Sequence, residues 1–276
     1  MGVVDHIVNK IVTEISGLPG VVGVVLGGSR AKGNHRPDSD IDIGIYYDET
    51  QGFNTEYIET AAGKLNDEQK EQLITALGDW GEWINGGGWL IVDGYHVDLI
   101  FRDINKVNDV INDCLAGKVT IHYQTGHPHG FLNVMYMGEL NICEILADPQ
   151  NTLHELKTKT YPYPPEVKQS ITQFFAFEAS FSLMFIEDNV DKDDISYLIG
   201  HLFRCLSCLN QVIFAKNEVY CINEKKAVAL INTFPVKPKN YKQRIDNIVS
   251  SFSIDEYKTK AAIEELRNVI DETNHL

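Results

Sequence analysis

Apolar residues recur at helical spacing from the first turn of the chain. Val4, Ile7, Val8, Ile11, Val12 and Ile15 share one face, which predicts an amphipathic helix. The continuous apolar run Val21-Val22-Gly23-Val24-Val25-Leu26 then predicts a buried strand. Gly27-Gly28 should turn the chain tightly, with Ser29 as the N-cap of a helix. Residues 89–101, Trp-Leu-Ile-Val-Asp-Gly-Tyr-His-Val-Asp-Leu-Ile-Phe, read as a β-hairpin about the two-residue turn Asp93-Gly94. Asp103 sits where a helix would start at Ile104, and a further strand is expected at Val119 to Tyr123.

The pattern changes at Tyr161-Pro162-Tyr163-Pro164-Pro165. Before it, β-rich runs alternate with helices; after it only helical periodicity remains. Ile171, Phe174, Phe175, Phe181 and Phe185 are expected to form one buried face, with Glu178 inside it, either paired with Arg204 or looking into a cleft. On the next helix Leu198, Leu202, Leu206, Leu209 and Ile213 form the core stripe, and His201, Arg204 and Cys208 flank it. Asn223 is read as the cap of a later helix start that carries Lys225. The chain thus divides into residues 1–160 and 161–276.

Candidate chemistry sits between the first two predicted strands. After Gly28-Ser29 come Asp40 and Asp42, spaced i, i+2. In a strand such residues fall on the same face, roughly 6 to 7 Å apart. Two carboxylates so placed suit magnesium, and a helix start offers N–H groups to an anion, so the unit describes a site for a metal-bound nucleoside triphosphate. Other glycine motifs fail: Gly28 to Gly33 has the P-loop spacing, but Asn34-His35 follows in place of Lys-Ser/Thr. A third acid, Asp98, lies in the otherwise apolar second arm of the hairpin. A lone buried carboxylate there is costly unless it is paired, metal-bound or solvated.

On Gly28-Ser29, Asp40 and Asp42, with Asp98 as third carboxylate, the chain resembles the nucleotidyltransferase superfamily typified by DNA polymerase beta. Within it, the chain resembles the antibiotic (aminoglycoside-type) nucleotidyltransferases with a C-terminal helical domain. The resemblance implies an α/β (α+β) domain with a short mixed sheet, then an all-α helical bundle, with the active site in the cleft between them. It implies two Mg2+ ions held by Asp40, Asp42 and Asp98, and ATP or another nucleoside triphosphate held by Gly28, Ser29 and Arg30. Lys225 would reach the outer phosphates. Asp98 would serve as metal ligand or as general base, and the two roles stay open. Glu178, His127 and Arg204 are acceptor-side candidates.

The reaction implied is transfer of a nucleoside monophosphate, AMP from ATP foremost, to a hydroxyl of a small molecule with release of pyrophosphate. An alternative is AMP transfer to a protein, as in minimal nucleotidyltransferase antitoxins that modify a HEPN ribonuclease. Arg267 and His275 stand too far apart for a ribonuclease motif of that kind. A non-catalytic nucleotide-binding protein is disfavoured because all three carboxylates are present.

Composition adds limits. The 276 residues carry 24 Lys and Arg against 39 Asp and Glu, a formal charge of −15. Nucleic-acid affinity rests largely on phosphate neutralisation, so this balance argues against a nucleic-acid substrate and favours a small or cationic acceptor. Lys157, Lys159 and Lys168, and Lys237, Lys239 and Lys242, read as solvated faces. No apolar run reaches a membrane span and the first helix lacks the form of a signal peptide, so a cytoplasmic protein is expected. The five cysteines fit reduced thiols. His201, Cys205, Cys208 and Cys221 could be drawn as a zinc site, but packing inside a helix is the reading preferred. For His122, His127 and His129 three readings stay open: a rigid turn, a pocket lining and a metal site.

Overall fold

The computed structural model describes residues 2–33, 35–68 and 70–276. The predicted first helix is α1 (Val3–Ile15), and it buries Ile7, Val8, Ile11 and Ile15. The apolar run forms β1 (Val21–Leu26), followed by the one-turn helix α2 (Gly28–Ala31) and by β2 (Ile41–Tyr47). Helix α3 (Thr55–Leu65) leads to the hairpin of β3 (Gly87–Val92) and β4 (Tyr95–Asp103). Asp93 and Gly94 both have positive φ, 48° and 80°, as the tight hairpin turn requires. The Asp67 carboxylate accepts both of their backbone N–H groups, at 2.9 and 2.7 Å.

Helix α4 (Ile104–Leu115) opens under the Asp103 side chain, which accepts from the Asn105 N–H at 2.9 Å. The predicted strand at 119–123 is shorter in fact: β5 (Ile121–His122) pairs with β6 (Phe131–Leu132) in a small ladder. Helix α5 (Met135–Ile142) and β7 (Glu144–Ala147) follow. The main sheet has the order β3-β4-β2-β1-β7. It is mixed: β2 runs parallel to β4, and the other neighbours are antiparallel.

Alternation along β2 settles where its acids go. Ile41, Ile43 and Ile45 are fully buried in a core with α1, α3 and the β4 residues Val97, Leu99 and Phe101. Asp42 therefore lies on the opposite face of the sheet. Tyr47, Phe53 and Phe101 fill the far end of that core, Tyr47 and Phe53 stacking at 4.3 Å.

The chain divides into two compact units. The first comprises residues 1–113, 122–126 and 136–162; the second comprises 114–121, 127–135 and 163–276. The first unit also holds α6 (Thr152–Thr158). After Pro162 the described residues are helical, with α7 (Pro165–Glu187), α8 (Ile195–Lys216), α9 (Ala227–Ile231), α10 (Tyr241–Ser251) and α11 (Glu256–Asn274).

The buried stripe of α7 is not the expected one. Val167, Ile171, Phe175, Ala179, Ser182, Leu183 and Ile186 are buried, whereas Phe174 and Phe181 are exposed. The small Ala179 and Ser182 provide a smooth face for close packing, and the phenylalanines form the next row around the helix. On α8, Leu198, Leu202, Leu209 and Ile213 are buried as expected, and Leu206 is half-buried. Contrary to expectation, α8 is long and apolar enough by composition to cross a membrane; 67% of that stretch is buried in the protein. Asn223 does not cap a helix: its Oδ1 accepts from the Lys225 N–H at 2.7 Å in a local turn, and α9 begins only after Lys226, at φ 66°.

Candidate active site

The turn after β1 is fastened to β2 by its backbone, since the Gly27 N–H donates to the Asp42 carbonyl at 2.8 Å. Gly27 is extended and Gly28 takes φ +60°, so the chain enters α2 two residues earlier than expected. Gly27 is the N-cap, and Ser29 lies inside the first turn instead of capping it. Gly28 is required for a second reason. A Cβ placed there would stand 1.7 Å from Oδ2 of Asp42, so the glycine leaves room for that carboxylate.

The Arg30 guanidinium hydrogen-bonds its own loop. Its Nε donates to the Asp40 carbonyl at 3.0 Å and its terminal nitrogen to the Ser39 carbonyl, fixing the approach to β2. Asp40 stands exposed one residue before β2, and Asp42 is half-buried within it. In the parallel pairing Asp42 is the register partner of Asp98 on β4. Paired residues of neighbouring strands share a face and lie about 5 Å apart at the backbone. The sheet therefore brings together carboxylates 56 positions apart in sequence.

The electrostatics agree with this grouping. The Asp98 carboxyl is held above its ordinary range, first by burial and next by the charge of Asp40, with His96 acting in the opposite sense. Asp40 is therefore close enough to act on Asp98, and a cation beside the two would offset that repulsion. Reading the sequence for carboxylates alone passed over a neighbour. Trp89 is the register partner of Asp98 on β3, is 64% exposed, and packs on Trp80 at 4.7 Å. Counting outward from the Asp93-Gly94 turn pairs 89 with 98, so the signal was present in the sequence.

The other candidate residues belong to the second unit. Glu178 and Arg204 form an ion pair, the first of the two readings above. His127 faces Glu224 at 4.0 Å, and Glu224 also accepts from the His129 backbone N–H at 3.0 Å. Lys225 is exposed in the same loop. His122 belongs to the first unit, where it stacks on Trp83 at 4.2 Å. Among the described residues His201, Cys205, Cys208 and Cys221 make no common metal-ligating group. Cys205 donates to the Ala179 carbonyl and His201 stacks on Phe185. All five cysteines are buried and outside any disulfide.

Comparison with known proteins places the first unit. Residues 8–118 match a family model described as nucleotidyltransferase domain. No curated protein matches the chain significantly. Among solved structures, a nucleotidyltransferase-like protein from Exiguobacterium sibiricum is similar over 98% of this chain and 77% of its own, at 10% identity and a TM-score of 0.49. The CdnE cyclic dinucleotide synthase of Elizabethkingia meningoseptica, solved with GTP and Apcpp, is similar over 98% of this chain and 80% of its own, at 12% identity and a TM-score of 0.24. Likenesses this remote establish neither donor nor acceptor. Together with the Gly-Ser turn and the acids on β2 and β4, the match over residues 8–118 identifies a nucleotidyltransferase domain, and the chain as an enzyme of nucleotidyl transfer.

Proposed function

We propose that this protein transfers a nucleoside monophosphate, AMP from ATP foremost, to a hydroxyl of a small molecule and releases pyrophosphate. The observation that carries the reading is the in-register pairing of Asp42 with Asp98, with Asp40 near enough to raise the Asp98 pKa. Three carboxylates are an all-oxygen donor set of the kind magnesium takes, and the repulsion of Asp98 by Asp40 is what a divalent cation would offset. Asp40, Asp42 and Asp98 would hold the metal. When bound, magnesium supplies charge neutralisation of the triphosphate and lowers the pKa of a coordinated hydroxyl.

The remaining work falls to the chain. The Gly27-Gly28 turn leaves the Asp42 carboxylate room to reach its position. Arg30 fixes the loop that presents Asp40, and the β2–β4 register sets the spacing between Asp42 and Asp98. Asp98, whose carboxyl already binds its proton more tightly than an ordinary aspartate, is the acid best suited to receive the hydroxyl proton. Exposed Trp89, beside Asp98, offers a flat aromatic face to a ring of the acceptor or the base. The formal charge of −15 favours a small, cationic acceptor over a nucleic acid.

The test is incubation of the full-length protein with magnesium, each of the four nucleoside triphosphates and a library of small hydroxylated metabolites and aminoglycosides. Pyrophosphate release and product mass are the readouts. A small-molecule adduct bearing a nucleoside monophosphate is expected. An adduct found only on a protein, or hydrolysis without an adduct, would overturn the small-molecule reading.

A further inference from the structure

Within the second unit, three side chains of metal-binding type converge far from one another in sequence. His129 comes from the loop between β5 and β6, Glu178 from α7 and Cys208 from α8. One potential ligand atom from each lies within 4.8 Å of the other two, and this is the one such group among the described residues. His129 Nε2 and Cys208 Sγ stand 3.8 Å apart. Two donors on one tetrahedral zinc, with bonds of about 2.0 and 2.3 Å, lie roughly 3.5 Å apart, so little movement is needed.

The surroundings leave donors unused. His129 is 3% exposed and its Nδ1 has no hydrogen-bond partner; Arg204 engages Glu178 through Oε1, while Oε2 is buried without a partner. A polar atom buried unpaired costs about 1 to 3 kcal/mol, so Glu178 Oε2, beside the His129 and Cys208 donors, calls for an explanation. The His129 backbone is anchored by Glu224, and Phe175 and Phe203 pack about its ring.

We propose that His129, Glu178 and Cys208 form a zinc site, which fastens the 127–130 loop to α7 and α8. The donor set selects the metal. A thiolate with an imidazole favours zinc over magnesium, so this site and the Asp40, Asp42 and Asp98 patch draw on different ions. Binding replaces the Cys208 proton with the metal, so one proton is released to solvent for each zinc bound. The charge of the thiolate and of Glu178 together balances the cation. Three protein ligands leave the fourth position to water or to the second oxygen of Glu178. The inference is independent of the transfer reaction, since no residue of the carboxylate patch enters it.

The experiment uses tag-free full-length protein purified under reducing conditions, loaded with zinc or cobalt and dialysed. Elemental analysis is expected to find one zinc per chain. The cobalt form should show a thiolate-to-metal charge-transfer band in the near ultraviolet and the visible bands of tetrahedral cobalt. Cys208→Ser should abolish the charge-transfer band and His129→Ala the tight binding, while Cys205→Ser, a buried thiol one turn away, keeps both. Asp42→Asn should also keep both, which separates this site from the carboxylate patch. Wild-type protein that retains no zinc and shows no thiolate band would overturn the proposal. So would a band that persists in Cys208→Ser. The wild-type spectrum decides the matter even if a variant fails to fold.

Discussion

Gly28 and the Asp42 carboxylate compete for one small volume, and that competition yields the sharpest residue-scale prediction. Gly28→Ala combines a left-handed backbone, costing about 1 to 2 kcal/mol, with a collision at the acid. Turnover should fall about 100-fold, the scale on which a displacement of about 1 Å acts, while circular dichroism shows a folded chain. Near-normal turnover in this variant would mean that Asp42 need not occupy its observed position. Asp42→Asn removes the charge and keeps the shape. Pyrophosphate release should drop about 100- to 1,000-fold while circular dichroism shows a folded chain, because the lost charge bears on the cation and not on the apolar core. Activity within a few-fold of wild type would remove Asp42 as a metal ligand. Gly28, Ser29, Asp40, Asp42 and Asp98 were legible in the sequence because their spacing and strand context are local. The reason for Gly28 was not legible. Its contact with Asp42 forms only once β2 lies beside the turn, and the hydrogen bonds of Arg30 to its own loop likewise need the folded loop.

At the scale of elements, Asp48 joins the end of β2 to the next turn and to α4. Its side chain accepts from the Thr50 N–H at 2.9 Å, the Thr50 hydroxyl at 2.7 Å, Gln51 Nε2 at 2.8 Å and Asn105 Nδ2 at 3.2 Å. These hydrogen bonds, with Thr50 foremost, hold its pKa below the ordinary carboxylate value. A pKa depressed in the folded state adds stability in full above the unfolded value of about 3.9, and that stability is lost as pH falls through the folded value. Asp48→Asn should therefore destabilise the protein by about 2 kcal/mol at neutral pH. Urea titrations at a series of pH values should show the difference from wild type shrinking below about pH 4. A constant difference across that range would show that ionisation of Asp48 plays no part.

The elements themselves were mostly readable. α1, β1, the Asp93-Gly94 hairpin and the Asp103 cap each announce themselves by spacing or turn chemistry. The buried face of α7 did not, because Phe174, Phe177 and Phe181 make a second apolar row beside the true one. Periodicity alone cannot choose between two adjacent rows; the small residues Ala179 and Ser182 decide it through packing. The cap at Ser29 failed for a related reason, since two successive glycines let the chain turn two residues early.

For the whole molecule, 39 acidic residues against 24 basic ones oppose the approach of polyanions. Gel-shift titrations with single- and double-stranded DNA should show no complex at about 0.1 M salt, where long-range repulsion still acts over about 10 Å. A complex whose affinity falls steeply with added salt would reveal a basic face and reopen a nucleic-acid substrate.

The second unit draws residues 114–121 and 127–135 from mid-chain and everything else from beyond Pro162. Synthesis turns that arrangement into a delay. Gly117 has to wait for Ser170, whose hydroxyl its carbonyl accepts at 2.8 Å, and the ring of His129 has to wait for Phe175. Helix α11 ends at Asn274. At about 5 to 20 residues per second, a ribosome takes roughly 7 to 30 s to pass from residue 135 to that point. Throughout the interval Phe131, Leu132 and Val134, all buried in the finished protein, emerge ahead of the helices that complete their unit. Yield in a producing cell then depends on how that half-minute is bridged, and codons that slow translation beyond residue 162 lengthen it.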